Sequence, residues 1–247
     1  MDENKRKSDV IAGRNPVSEA IRGNRAIESV LVARGAKNGA IVGILAKARE
    51  KGITVKEVDP KKLDFLCGSA VHQGIAAVAA VKEYATVKDI LDAAKERGEA
   101  PFVIVLDEIE DPHNLGAIIR TAECAGAHGV IVPKRRSAGL SYTVGKASAG
   151  AIEYVPVARV TNICSTLEQL KEAGLWIYGA DMDGEDYTAC DYSGAAALVI
   201  GNEGKGIGRL VREKCDRIVS LPMKGRINSL NASVAAGIIM YEMAKFR

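Results

Sequence analysis

The sequence predicts an α/β protein in which a mainly parallel sheet with helices on both faces follows a small α/β module. Three observations predict this. Continuous apolar runs such as Phe102-Val-Ile-Val-Leu106 alternate with stretches of helical periodicity, as expected of strands covered on both faces by crossover helices. Two later apolar runs, 196–200 and Arg217-Ile-Val-Ser-Leu221, end in loops marked by Gly201, Gly204, Gly206 and Gly208 and by Pro222. The charge is also uneven: residues 1–82 carry 15 Lys and Arg against 9 Asp and Glu, and the remainder 19 against 22.

After a charged start, Asn15 to Ile21 reads as a short helix and Ala26 to Val32 as a strand. Residues Ala40 to Lys51 have helical spacing, Ile53 to Val58 is β-like, Pro60 to Leu66 helical, and Gly74 to Val81 a second β run. Tyr84 to Arg97 is a charged helix-like segment, and the linker is placed at 83–98, between a module at 1–82 and one at 99–247. The second module then reads strand 102–107, helix 114–125, strand 129–132, helix 144–149, strand 155–157, helix 162–173 and strand 175–179. Strands at 196–200 and 217–221 frame the glycine loop, and a last helix runs from Ser229 to Ala244. That helix is apolar nearly all round, so burial by the sheet and by a second subunit is expected.

At 247 residues and 47% hydrophobic composition the chain can bury a substantial core. No apolar stretch approaches the ~20 residues that span a bilayer, and Met1-Asp-Glu-Asn-Lys-Arg-Lys7 leads into no signal region. A cytoplasmic protein with no membrane association is expected. The cysteines at 67, 124, 164, 190 and 215 are odd in number and lack any C-x-x-C pair, and the histidines at 72, 113 and 128 lack ligand spacing. Neither disulfides nor a metal are expected. The basic first third suits a module that delivers a polyanion to a near-neutral catalytic module; a solvated lysine-rich surface is the alternative.

Strand ends that open onto glycine-rich backbone are where α/β sheets bind ligands. The spacing Gly-x-x-Gly-x-Gly-x-Gly is not G-x-G-x-x-G, and only about 40 residues follow it, which argues against a dinucleotide. Gly206 stands where a P-loop needs Ser or Thr, which argues against a Walker-type nucleotide site. A glycine-rich turn without ligand is the alternative for this loop taken alone. In Asp107-Glu-Ile-Glu-Asp-Pro-His-Asn-Leu-Gly-Ala-Ile-Ile-Arg-Thr-Ala122 a strand end turns into a helix at about Asn114, which is either a functional residue or an N-cap. Arg120 lies one turn after Gly116, whose missing side chain is expected to leave the guanidinium unobstructed toward the loop. A carboxylate or phosphate partner is expected for it, with a buried structural salt bridge as the alternative.

Asp111-Pro-x-Asn114-x-Gly116-x-x-x-Arg120-Thr121-Ala122, Gly201-Asn-Glu203-Gly204-x-Gly206, and Leu221-Pro222 with Ser229-Leu-Asn-x-Ser233 resemble, in order, the three motifs of the SpoU family of RNA ribose 2′-O-methyltransferases. Gly13-Arg-Asn-Pro-Val17 and Val71-His-Gln-Gly-Ile75 are similar to the substrate-binding domain of its bacterial branch acting on a guanosine of large-subunit ribosomal RNA. The resemblance implies S-adenosylmethionine as donor, a trefoil-knotted C-terminus, a homodimer and ribosomal RNA as partner. It implies donor contacts at Gly179, Gly201, Gly204, Leu221, Met223 and Leu230, and catalytic or pocket roles for Asn114, Arg120, Glu203, Ser229 and Asn231. It assigns Arg120 to act with an RNA phosphate, because a guanidinium stays protonated below a pKa of ~12. Methylation of transfer RNA, and a non-catalytic RNA-binding or ribosome-assembly protein of the same fold, are the alternatives.

Overall fold

The computed structural model describes residues 10–23, 26–36, 39–68 and 70–247; the charged start Met1 to Lys7 lies outside them. The chain divides into two compact units, Met1–Glu83 with Gly139–Tyr142, and Tyr84–Ala138 with Thr143–Arg247.

The first unit contains β1 (Val10–Ala12), α1 (Arg14–Arg22), β2 (Ile27–Ala33), α2 (Gly39–Glu50), β3 (Thr54–Val58), α3 (Pro60–Cys67) and β4 (Ile75–Ala79). Its sheet runs β1-β4-β2-β3, with β2 parallel to β3 and antiparallel to β4. Alternation along β2 sorts the helices: Val30 and Val32 join Val17, Ile21, Ile41 and Ile44 of α1 and α2, whereas Leu31 and Ala33 join Leu63 and Cys67 of α3. The start of α3 is fixed by Asp59, whose carboxylate accepts from Lys61 N at 2.9 Å, and by Pro60 in the first turn. β1 is not among the expected strands, since three half-buried edge residues are too short for alternation to register. The two motifs of this unit lie side by side: Gly13 N donates to Ile75 O at 3.1 Å, and Arg14 donates through N and Nε to Gln73 Oε1 at 3.3 Å each.

The second unit contains α4 (Val87–Arg97), β5 (Phe102–Leu106), α5 (Pro112–Cys124), β6 (Gly129–Pro133), α6 (Tyr142–Ala147), β7 (Val157–Val160) and α7 (Ile163–Glu172). It continues with β8 (Trp176–Asp186), β9 (Ala196–Ile200), α8 (Arg209–Arg212), β10 (Arg217–Ser220) and α9 (Ala232–Ala244). All pairings in its six-stranded sheet, β10-β8-β9-β5-β6-β7, are parallel. On one face Val103, Val105, Ile131, Ala197 and Val199 pack with Ile90 of α4, Leu167 and Leu170 of α7 and Val211 of α8. α5 and α9 pack on each other and on β6 and β9. Flanking helices of this kind are what the continuous apolar strands require.

Segment 83–98 is therefore not a bare connector. α4 is closed by a capping box between Thr86 and Asp89, and its Val87, Ile90 and Ala94 are buried. Its charged residues mask in sequence an apolar stripe that belongs to the sheet's core. Two boundaries differ in ways that matter for the site. α5 begins at Pro112 with Asp111 as its cap, and α9 begins at Ala232 with Asn231 as its cap, three residues later than expected. β8 runs on to Asp186 and pairs with β10 across a register shift at Ile218/Val219. Because every strand is parallel, the ends of β5, β6, β8, β9 and β10 open on one edge, where a crevice for ligand forms.

Candidate active site

The glycine loop at the end of β9 is folded on itself. Asn202 N donates to Gly206 O at 3.0 Å and Gly206 N returns to Asn202 O at 2.9 Å, while Asn202 Oδ1 accepts from Gly204 N at 3.0 Å. A Cβ on Gly201 would sit 2.2 Å from Gly206 C and 2.3 Å from Ile207 N, so no side chain fits there, and Gly206 has φ +66°. Gly204 differs: a Cβ would meet only Asn202 Oδ1, at 3.7 Å. Two bonds tie the loop to the residues that follow β5, Asn202 Nδ2 to Glu108 O at 3.0 Å and Gly208 N to Asp107 Oδ2 at 2.8 Å.

Three predicted residues meet in a directional chain. Asn231 Oδ1 accepts from Ser233 N at 2.9 Å and Val234 N at 3.3 Å as the cap of α9, which turns its Nδ2 toward Asn114 Oδ1 at 3.0 Å. The Asn114 carboxamide is thereby oriented with Nδ2 to Glu203 Oε1 at 2.5 Å. Asn114 is buried, and it is not a cap; it is the third residue of α5 and joins the glycine loop to α9. Each carboxamide in the chain can adopt only one orientation without pairing two acceptors.

Arg120 is exposed and enters neither an ion pair nor a hydrogen bond among the described residues. The buried salt bridge is thus ruled out for the described residues. Gly116 has a different use from the one expected: a Cβ there would lie 2.4 Å from Ala147 Cβ and 2.9 Å from Val144 O, so its absence lets α6 pack on α5 and does not clear the arginine.

Between the glycine loop and residues 219–230 lies a cleft of about 910 Å³, lined by Gly201, Glu203, Gly204, Leu221, Met223, Ser229 and Leu230 among others. This is the range of small-molecule and cofactor sites. From Leu221 to Leu230 no backbone N–H or C=O is hydrogen-bonded within the described residues, leaving a run of donors and acceptors along one wall. Gly179 does not line the cleft. It is buried, and a Cβ there would meet Cys215 Sγ at 2.8 Å and Ile218 Cδ1 at 2.9 Å, so tight packing against β10 also requires a glycine there. Burial pushes the Cys215 thiol up to about 12, leaving it neutral. Ser229 lines the cleft outside the hydrogen-bonded chain.

Asp181, within β8, lines the cleft and pairs through Oδ2 with Arg212 Nη1 at 2.8 Å, a pairing that sequence reasoning did not foresee; the same Nη1 reaches Asp183 Oδ1 at 2.8 Å. Burial opposes the charge of Arg212, but its bonds to Asp181 and Asp183 outweigh that and hold the guanidinium above its ordinary value. The spacing Asp-x-Asp gave a weak signal, since only the fold brings Arg212 to it. The bonds that Asn202 and Asp107 make to the loop were likewise not foreseen; an Asn heading a glycine turn is the mark of a side chain that bonds its own loop. Among the described residues no group of His, Cys, Asp and Glu is arranged to hold a metal ion, and no helix is long and apolar enough to cross a membrane.

Residues 101–241 match the SpoU rRNA methylase family, and residues 10–85 match a family described as RNA 2′-O ribose methyltransferase substrate binding. The chain belongs to the SpoU methylase family and is an RNA methyltransferase. It is 49% identical over 240 residues to YacO of Bacillus subtilis, assigned to the TrmH family of tRNA/rRNA methyltransferases, with 97% of this chain and 96% of that protein covered. Among solved structures it is similar to the SpoU methyltransferase AviRb of Streptomyces viridochromogenes, crystallised with AdoMet: 28% identity, TM-score 0.58, 99% of this chain and 93% of that one. The TrmH/SpoU tRNA modifying enzyme of A. aeolicus matches 60% of this chain and 76% of its own length at 27% identity, with a TM-score of 0.56.

Proposed function

We propose that this protein transfers a methyl group from S-adenosylmethionine to a ribose 2′-hydroxyl, on a guanosine of large-subunit ribosomal RNA. The observation that carries the reading is the Asn231–Asn114–Glu203 chain at the mouth of a cleft walled by unpaired backbone, with an unpartnered Arg120 nearby in sequence on α5. The cleft fits the donor: Gly201, Leu221, Met223 and Leu230 would hold it largely through backbone, and Gly204 leaves room beside it. The bound sulfonium supplies an already activated methyl group.

The residues of this chain have only to position the acceptor and manage one proton. Holding two reactants in line contributes several kcal/mol to lowering such a barrier. Asn114, fixed at both ends of its carboxamide, orients the ribose or the arginine; Glu203 and Asn231 hold Asn114. Arg120 binds an RNA phosphate, which takes the hydroxyl proton, since the guanidinium itself is not a base. Ser229 completes the pocket wall.

The N-terminal match to a substrate-binding family and the basic balance of residues 1–82 support delivery of RNA by the first unit. A homodimer is supported by the exposed apolar side chains of α9, Val234 at 50%, Ile238 at 37% and Tyr241 at 54%. A trefoil knot is supported by the path of the chain: β10 lies at the sheet edge, yet α9, which follows it, packs on α5 and β9. The cell compartment of such an enzyme is the cytoplasm. Transfer RNA is the second reading, favoured by the tRNA/rRNA assignment of the Bacillus relative.

Arg120→Ala tests the mechanism. Because Arg120 is exposed and unpaired, the fold and donor affinity are expected to stay at the parent level while methyl transfer falls by more than about 100-fold. Activity within a few-fold of the parent removes Arg120 from the reaction.

A further inference from the structure

The loop after β6 carries Lys134, Arg135 and Arg136 in succession, all exposed. None of them lines the cleft. β5 and β6 are parallel neighbours, in register from Val103/Gly129 to Val105/Ile131, so the segments that follow them leave the sheet on the same edge, where the glycine loop after β9 also lies. Two bonds hold the loop there: Ala138 N donates to Ile109 O at 2.8 Å, and Arg136 Nη1 pairs with Glu108 Oε1 at 2.9 Å. Both partners of that pair have left-handed backbone, φ +53° at Arg136 and +64° at Glu108. Side-chain-bearing residues rarely adopt this region, and such outliers persist only where surrounding contacts over-determine them, which is common at ligand clamps. The carbonyl of Glu108 also accepts from Asn202 Nδ2 at 3.0 Å. The basic loop is thus joined to the glycine loop through one residue.

Of the three cations only Arg136 is neutralised. Lys134 and Arg135 enter no ion pair among the described residues, which leaves two adjacent positive charges in water at the rim of the site. Exposed like charges side by side repel weakly in water, and an anion lying across them would relieve that repulsion and bind to both. We propose that Lys134 and Arg135 grip phosphates of the single-stranded RNA flanking the target nucleotide, and that Arg136 and Glu108 form the latch that sets this loop against the glycine loop. The proposal rests on the RNA-methyltransferase reading. It assigns part of RNA binding to the catalytic unit, beyond the basic N-terminal third.

The test uses the full chain and a 20-nucleotide single-stranded RNA. Each lost phosphate contact lowers the slope of log affinity against log salt by about 0.7 for single strands, so Lys134→Gln/Arg135→Gln is expected to lower it by about 1.4. RNA affinity at near-physiological salt is expected to fall about tenfold, with donor affinity and melting temperature unchanged. Lys134→Arg/Arg135→Lys, which keeps both charges, is expected to keep the parent slope. An unchanged slope in the Gln variant overturns the proposal, and so does a loss of donor affinity or of melting temperature, which would make the loop structural. If the parent itself binds RNA without salt dependence, the RNA reading falls with it; parent binding that the Gln variant leaves intact overturns the loop's role alone.

Discussion

Replacing Asn231 by aspartate separates its two duties. Aspartate caps a helix as well as asparagine does, so Ser233 N and Val234 N keep their acceptor. What changes is the other end: an oxygen replaces the Nδ2 that stood 3.0 Å from Asn114 Oδ1. Asn114 can then turn its carboxamide to donate to the new carboxylate, but that points Oδ1 at Glu203, whose oxygen lies 2.5 Å from Asn114 Nδ2 in the parent. One bond of the chain must be given up. Glu203 is exposed and is released to water, at the loss of a hydrogen bond to a charged acceptor, about 1.5–3 kcal/mol. If that interaction serves the transition state, the loss corresponds to roughly 10- to 150-fold in rate. Asn231→Ala removes the cap as well, at about 1 kcal/mol, which lowers the melting temperature by about 2–4 °C for a domain of 150–250 residues. The assay is methyl transfer to RNA at limiting substrate beside thermal unfolding of the same preparations. Parent activity in Asn231→Asp, or a melting temperature that falls as far as in Asn231→Ala, would refute the reasoning.

Two further outcomes follow from the same geometry. Gly201→Ala is expected to lose donor binding together with stability, because the new Cβ meets the Gly206–Ile207 peptide at 2.2–2.3 Å, whereas Gly204→Ala keeps the fold, having only Asn202 Oδ1 at 3.7 Å before it; calorimetric donor titration and thermal melts of the pair check this, and equal behaviour would contradict it. His128, buried with Nδ1 accepting from Phe102 N at 3.0 Å and Nε2 3.0 Å from Glu99 Oε2, has its pKa lowered below 6.5 chiefly by burial. A base whose folded pKa lies below its unfolded value leaves the unfolded chain binding more protons, so stability held above pH 6.5 is lost as pH falls toward the folded pKa. Melts between about pH 7.5 and 5 are expected to show that loss in the parent and a flatter profile in His128→Gln, and parallel profiles would exclude His128 as the source.

The sheet was legible in the sequence because a strand buried on both faces cannot contain polar residues, so β5, β6 and β9 appear as unbroken apolar runs. α4 was harder to place: only Val87, Ile90 and Ala94 face the core, and the charges around them read as a linker. Asn114, Glu203 and Asn231 were legible as motif members, but their mutual bonding was not, since 89 and 117 residues separate Asn114 from its two partners. Gly179 carries a second signal: a glycine in a strand is equally the mark of a neighbour packed tightly on it, and here that neighbour is Cys215. Asp181 and Arg212, 31 residues apart, form a pair that no local pattern announces.

The atom that receives the methyl group can be identified directly. Purified protein, donor carrying an isotopically labelled methyl group, and unmodified ribosomal RNA can be incubated together, and the digested nucleosides resolved by tandem mass spectrometry, which separates base from sugar. Label is expected on the ribose fragment of one guanosine, absent with Arg120→Ala and absent when that nucleotide carries a 2′-deoxyribose. Label on a base fragment, or label that survives removal of the 2′-hydroxyl, would contradict transfer to the ribose hydroxyl.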